Sequence, residues 1–188
     1  MGVVELIGEV VAAAQEIVTI TMYDAEGNPV EVSKPDVKYI FGNAQYVKDR
    51  LEELSVSSTS LKFPLVVLFT PVTEDKTNPD YETEASLSML IACSSTDSRE
   101  WTNEVRLERS FVSVLRPIYE ALIEAFLNDG RFDFDYDQGV PHKMRENYSY
   151  GRYGAYTESG DAVSEPIDAI DIRDLKIKVY KTNNCTRI

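Results

Sequence analysis

His142 is the single histidine of the chain, and it stands beside Pro141 in a polar stretch with no obvious nucleophile next to it. A catalytic triad elsewhere would have to replace the usual histidine base with a lysine or a carboxylate, so His142 reads as a solvated loop residue. Cys93 falls in an apolar alternating run and Cys185 in a polar C-terminal tail, the pattern of two free thiols in a reducing compartment. One histidine and two cysteines are too few ligands for a zinc site of the usual kind. Gly151, Gly154 and Gly160 sit among tyrosines and match neither a phosphate-binding loop nor a dinucleotide fingerprint.

The segment Asp133-Phe134-Asp135-Tyr136-Asp137-Gln138-Gly139 places carboxylates at alternate positions, which is how an EF-hand loop converges on calcium. Its glycine falls one position late, and Met144 stands where a bidentate glutamate should close the loop. Calcium binding by Asp133, Asp135 and Asp137 is therefore set against a plain acidic turn or strand.

From Phe132 to Tyr156, aromatic residues and arginines interleave with Asp and Gly but almost no aliphatic residue. Such a stretch cannot build an ordinary core. Tyr and Arg are the residues favoured in buried protein interfaces, where a ring fills a pocket and its polar tip finds a partner. Phe132, Tyr136, Tyr148, Tyr150, Arg152, Tyr153 and Tyr156 are accordingly candidates for subunit contact. Single-stranded nucleic acid would use similar rings, but the local carboxylates and a formal net charge of -13 oppose it. Trp101, Arg106 and Arg109 lead into a helical pattern; capping and helix-surface pairing explain them, and subunit contact is the sharper reading.

Positioning these residues requires a framework, and the periodicities supply one. Val3, Ile7, Val10 and Ala14 predict a short amphipathic helix, and the alternation of Ile17 to Tyr23 with Val30 and Val32 predicts a hairpin. Ala44 to Leu54 reads as a helix behind an Asn43 cap. Leu65 to Phe69, opened by Phe63-Pro64, is an unbroken apolar run too short for a helix and reads as a strand covered on both faces. Thr70 to Thr83 shows no period and reads as a long loop, followed by a strand from Ala85 to Ser94. A helix is predicted from Asn103 to Asn128, kinked or divided at Pro117. In the closing strand, Ile170 and Ile172 are offset by one residue from Leu175, Ile177 and Val179, which implies a bulge or turn near Arg173-Asp174.

The expected fold class is α+β, with a mixed or mainly antiparallel sheet packed against helices. One domain is expected over 1–188. Its core spans about 37–129 plus a closing strand at 167–181, with an N-terminal helix and hairpin at 3–33 and an irregular excursion at 130–166. No apolar run is long enough to cross a bilayer and no basic region precedes the first apolar residues, so a soluble cytoplasmic product is expected. With 19 lysines and arginines against 32 acids, the exterior repels polyanions, although an acidic wall can line a conduit through which DNA slides without sticking.

The element order, with Lys62-Phe63-Pro64-Leu65-Val66-Val67-Leu68 entering a strand, the Leu87 to Cys93 strand, and Trp101-Thr102-Asn103 followed by Arg109-Ser110-Phe111, resembles the tail terminator and neck proteins of long-tailed phages. The likeness covers mainly Tyr39 to Asp129 and Leu175 to Tyr180, and the chain is in particular similar to structural proteins encoded by phages and prophages of the Bacteroides group. It implies a non-enzymatic virion protein without a cofactor, assembled in the host cytoplasm and resident in the neck or tail. Its partners would be itself, in a homo-hexamer or similar ring, the tail tube protein, and head-completion or portal-adaptor proteins. Packaged DNA would be passing cargo, and no membrane is involved. Another neck or tail-completion adaptor is the alternative within the same group, and a calcium-dependent binding module is the alternative outside it. The hairpin and the Gly130 to Pro166 excursion are departures from a compact terminator.

Overall fold

The chain begins with a helix, α1, over Val3–Ile17. Glu5 reaches back to accept from the Gly2 N–H at 3.0 Å, satisfying a donor that the first turn leaves open. Val3, Leu6, Ile7, Val10, Val11 and Ala14 form its buried stripe. A computed structural model describes residues 2–47, 49–50, 63–94, 101–134, 139–148 and 167–181.

β1 (Thr19–Tyr23) and β2 (Pro29–Ser33) form the expected hairpin, a two-stranded sheet of their own. Its turn is held by Asp24, which accepts from the Asn28 backbone at 2.8 Å, and by Gly27 at φ +84, a left-handed conformation that costs glycine nothing. α2 is described as helical at residues 44–47 and 49–50, where the Asn43 side chain accepts from the Tyr46 N–H at 2.8 Å as an N-cap should. Leu51 and Leu54, placed on the same helix by the sequence reading, lie outside the described residues.

The main sheet contains β3 (Lys38–Gly42), β4 (Leu65–Phe69), β5 (Glu74–Asp75), β6 (Tyr81–Ser94), β7 (Lys143–Asn147) and β8 (Ile167–Tyr180). Their order is β3-β4-β6-β8-β7, with β5 beside the start of β6. β3 and β4 run parallel and the other pairs antiparallel, so the fold is α+β with a mixed sheet. β6 and β8 pair along their 14 residues, and between Leu87/Leu175 and Met89/Ile172 the β8 side holds one extra residue. That is a bulge at Arg173-Asp174, with Asp174 at φ +53, where the offset of the isoleucines had placed it.

The long helix α3 has three parts: Asn103–Arg106 is α-helical, Leu107–Leu115 is π-helical, and Arg116–Asn128 is α-helical. Pro117 was expected to kink or divide this helix. Instead the helix widens before it. The Arg116 N–H bonds to the Phe111 carbonyl five residues back, and the Ser113 hydroxyl donates to the Glu108 carbonyl at 2.7 Å. The wider turn changes the carbonyl register ahead of a residue that has no N–H to give.

α1 and α3 cover one face of the sheet. Ile7, Ile20, Leu68, Met89, Ile91, Phe111, Leu115, Leu122, Phe126 and Ile172 belong to one continuous core that joins α1, the hairpin, the sheet and α3. The opposite face carries a second cluster in which Val47 of α2 meets Leu65, Val67, Leu90, Ala92, Ile167 and Ala169. β4 is thus buried on both faces, as its unbroken apolar run requires.

Three local expectations change. β3 had no assigned element, because its five residues acquire strand identity only by pairing with β4, more than twenty residues away. The loop after β4 contains β5, and β6 begins at Tyr81 instead of Ala85. The excursion from 130 contributes β7 to the sheet edge, and Phe132 and Phe134 to a cluster with Phe126 at ring separations of 5.2 and 6.2 Å. A region poor in aliphatic residues extends the core through aromatic edges.

Candidate functional site

A fully buried polar grouping lies inside the protein, where the first turns of α3 cross the end of β6 and β8. Arg106 Nη1 donates to both Asp168 oxygens, at 3.0 and 3.2 Å, and Ser110 donates to Asp168 Oδ2 at 2.7 Å. Arg106, Ser110 and Asp168 are all buried. Thr102 caps the helix, its hydroxyl accepting from the Val105 N–H at 3.5 Å, and so aims Arg106 one turn further on toward the sheet. Asp168 stands opposite Cys93 in the β6–β8 ladder.

This grouping has the residue types of a reactive centre but not the electronics of one. Burial pushes the Cys93 thiol up to about 12, and the negative charge of Asp168 works in the same direction. A thiol held that high stays protonated at neutral pH and is a poor nucleophile. Ser110 gives its proton to a carboxylate already committed to Arg106, and no histidine is part of the group. The arrangement satisfies a buried charge by pairing and hydrogen bonding. Sequence reading missed it because Asp168 and Arg106 are 62 positions apart. The one available signal was the acid interrupting the apolar alternation of Ile167 to Ile172.

Arg106 was expected at a subunit surface and is instead buried at 2% exposure, its charge spent on Asp168. Phe132 is likewise buried, stacked with Phe134 and bridged to Val179, so it belongs to the core of its own chain. Tyr148 is half-buried, with its ring 4.3 Å from that of Phe111. The corrections to Arg106 and Phe132 have one cause: each side chain finds a distant internal partner, Asp168 or Val179, that local spacing does not reveal.

Arg109 and Trp101 remain half-buried near the surface, joined to the hairpin. The Arg109 guanidinium lies 4.5 Å from the Tyr23 ring and 5.5 Å from the Trp101 ring, a cation bridging two aromatic faces. Tyr23 also donates to Glu108 at 3.4 Å. These contacts dock β1 against the π-helical part of α3. Tyr136, Tyr150, Arg152, Tyr153 and Tyr156 lie outside the described residues, as do Asp135, Asp137 and Cys185.

Asp133, the first acid of the calcium reading, has both oxygens engaged. Tyr81 donates to one of them and Tyr180, at 2.8 Å, to the other, and these bonds hold its carboxyl below the usual range. The same bonds raise the Tyr81 hydroxyl to about 12. Calcium at Asp133 would share these two oxygens with the tyrosine hydroxyls or displace them. His142 also has a seat: its Nδ1 lies 2.7 Å from the Val140 carbonyl and its Nε2 2.7 Å from the Tyr119 hydroxyl. Nδ1 must carry the proton to donate to a carbonyl, which leaves Nε2 to accept from Tyr119 in the neutral ring. Arg116 then grips Glu146 through two bonds of 2.7 and 3.1 Å, fastening α3 to β7.

Met22 and Val30 sit opposite each other near the tip of the hairpin and are 49% and 46% exposed, and Phe41 on edge strand β3 is 51% exposed. No family model matches this chain, and no curated protein matches it. The fold and these contacts define an α+β protein whose buried Arg106, Ser110 and Asp168 are tied to one another and which exposes large apolar side chains on the hairpin, on β3 and along α3.

Proposed function

We propose that this chain is a structural subunit that assembles with copies of itself into a ring at the head–tail joint of a tailed phage. There it terminates the tail tube and joins it to the neck. It acts by contact, not by catalysis. The observation that carries the reading is the β1–β2 hairpin. A two-stranded ribbon is marginal by itself, and this one leaves Met22 and Val30 half exposed on a ribbon separate from the main sheet. Such a surface gains most from a second protein that covers it. Edge strand β3 with exposed Phe41 adds a further place for contact. The position at the head–tail joint rests on the sequence resemblance, and the net charge of -13 suits a ring wall past which DNA must slide without being held.

The test is the mass of the native protein at high concentration, by native mass spectrometry and sedimentation, alone and with tail tube subunits. A closed oligomer, hexameric or of similar size, is expected, and Met22→Lys with Val30→Lys should disperse it. A chain that stays monomeric under both conditions overturns the proposal.

A further inference from the structure

A sheet that does not close leaves two edges, and here they are β3 and β7, at opposite ends of the order β3-β4-β6-β8-β7. Each is five residues long. The Lys38 N–H bonds to the Pro64 carbonyl and the Thr70 N–H to the Gly42 carbonyl, so the main chain of Lys38, Ile40 and Gly42 turns toward β4. Tyr39 and Phe41, which alternate with them, aim their N–H and C=O groups away from β4, where no described residue bonds them. β7 pairs with β8 on one side and with no described strand on the other.

The side chains at the two edges match as well. Phe41 stands opposite Leu68 and Met144 opposite Ile172, and Leu68 and Ile172 both belong to the core beneath α1 and α3. Phe41 and Met144 therefore project from the same face of the sheet, one at each end of it, and are 51% and 41% exposed. Lys143 and Arg145 flank Met144 and project from the other face, where Lys143 is paired with Asp174. Strand direction completes the match. β3 and β4 are parallel and the next three pairings are antiparallel, so β7 runs against β3. When a second copy is turned about an axis along the strands, its β3 meets β7 of the first in the antiparallel sense.

We propose that a second copy of this chain covers each edge: β3 of one subunit adds to β7 of the next as an antiparallel strand, with Phe41 against Met144. The inference rests on the ring reading and supplies its subunit junction. Joining two different edges is a head-to-tail contact, which uses both edges of every copy and closes into a ring if the rotation allows. The outward main-chain groups of Tyr39 and Phe41 gain partners, and the closed assembly has no open edge of this sheet. Like edges fit less well. Two β7 strands centred on Arg145 would set like charges opposite each other, and two β3 strands would leave β7 open.

The test uses variants of the full chain. Phe41→Pro removes an N–H that points away from β4, so the chain keeps its own ladder while the junction loses a bond and meets the proline ring. Phe41→Pro, and separately Met144→Lys, should raise the subunit dissociation constant in sedimentation at least about tenfold. The sharper measurement is a cycle of Phe41→Lys, Met144→Glu and both together in one chain. Within one copy the two positions lie four strand spacings apart, about 19 Å, too far to act on each other directly. The double variant should therefore assemble more tightly than its two single losses predict, because each junction then joins unlike charges. Far-UV circular dichroism checks folding, and if Phe41→Pro fails to fold, Phe41→Lys takes its place. Oligomers unchanged by Phe41→Pro and by Met144→Lys overturn the junction and leave the ring standing. Losses at both positions with no recovery in the double variant overturn the contact of Phe41 with Met144. Sensitivity at Phe41 alone assigns β3 to a like edge or to a strand of another protein, and so overturns the junction as well. A wild type that is monomeric even with tail tube subunits overturns the ring and the junction together.

Discussion

An arginine–aspartate pair stands at each end of α3, and the two differ sharply in their access to water. At the start, Arg106 and Asp168 are buried, with side chains 3% and 0% exposed. Just past the end, Arg131 holds Asp129 at 2.6 Å and also grips Glu9 of α1, with the arginine side chain 34% exposed. Water can replace the partner lost from the second pair but has no access to the first. Equal chemistry therefore carries unequal consequences, and it is the cost of an uncompensated buried charge that separates them.

The largest effect is expected from Asp168→Asn, which removes the buried negative charge that Arg106 meets at 3.0 Å. A loss of about 3–5 kcal/mol in urea unfolding is expected. Arg106→Met combined with Asp168→Leu and Ser110→Ala should recover most of it, since an apolar group of similar volume leaves neither a charge nor the Ser110 hydroxyl to satisfy. A loss below about 1 kcal/mol for Asp168→Asn alone would erase the contrast between the two ends. Next comes Leu122→Ala, in the apolar half of the same helix, where a cavity should cost about 3 kcal/mol with no change in pH dependence.

Asp129→Asn should cost least, at most about 1 kcal/mol after discounting for solvent screening. Its signature is in pH. Arg131 holds the Asp129 carboxyl below its ordinary value of 3.8. A carboxyl lowered in the folded state contributes its full stability above the unfolded value and loses it as pH falls through the folded one. The gap in urea midpoint between wild type and Asp129→Asn should hold from about pH 7 to about pH 5 and close below about pH 3.8. A gap that survives at the lowest pH would show that Asp129 acts through shape, not charge.

Sequence patterning was most informative where one element carries its own period. The apolar stripe of α1, the doubly buried run Leu65 to Phe69 and the span Asn103 to Asn128 of α3 were all legible, because a helix or strand must repeat its buried face every 3.6 or 2 residues. Even the bulge at Arg173-Asp174 could be read, since a shift of one residue moves every following side chain to the other face. The Asn43 cap and the Asp24 to Asn28 turn are local hydrogen bonds between near neighbours, so they too were within reach.

Only the tertiary structure decided which polar residues turn inward. Arg106 looked like a helix-surface residue until Asp168, 62 positions on, gave it a buried partner. Asp133 was one of three alternating acids in the sequence, and only the fold brought the hydroxyls of tyrosines 52 and 47 positions away to its two oxygens. The short strands β3 and β7 exist as ladders only because β4 and β8 lie beside them. Periodicity reports which side of its own element a residue occupies. Whether a charged or aromatic side chain on that side meets solvent or a partner depends on contacts between distant parts of the chain, and folding alone brings those together.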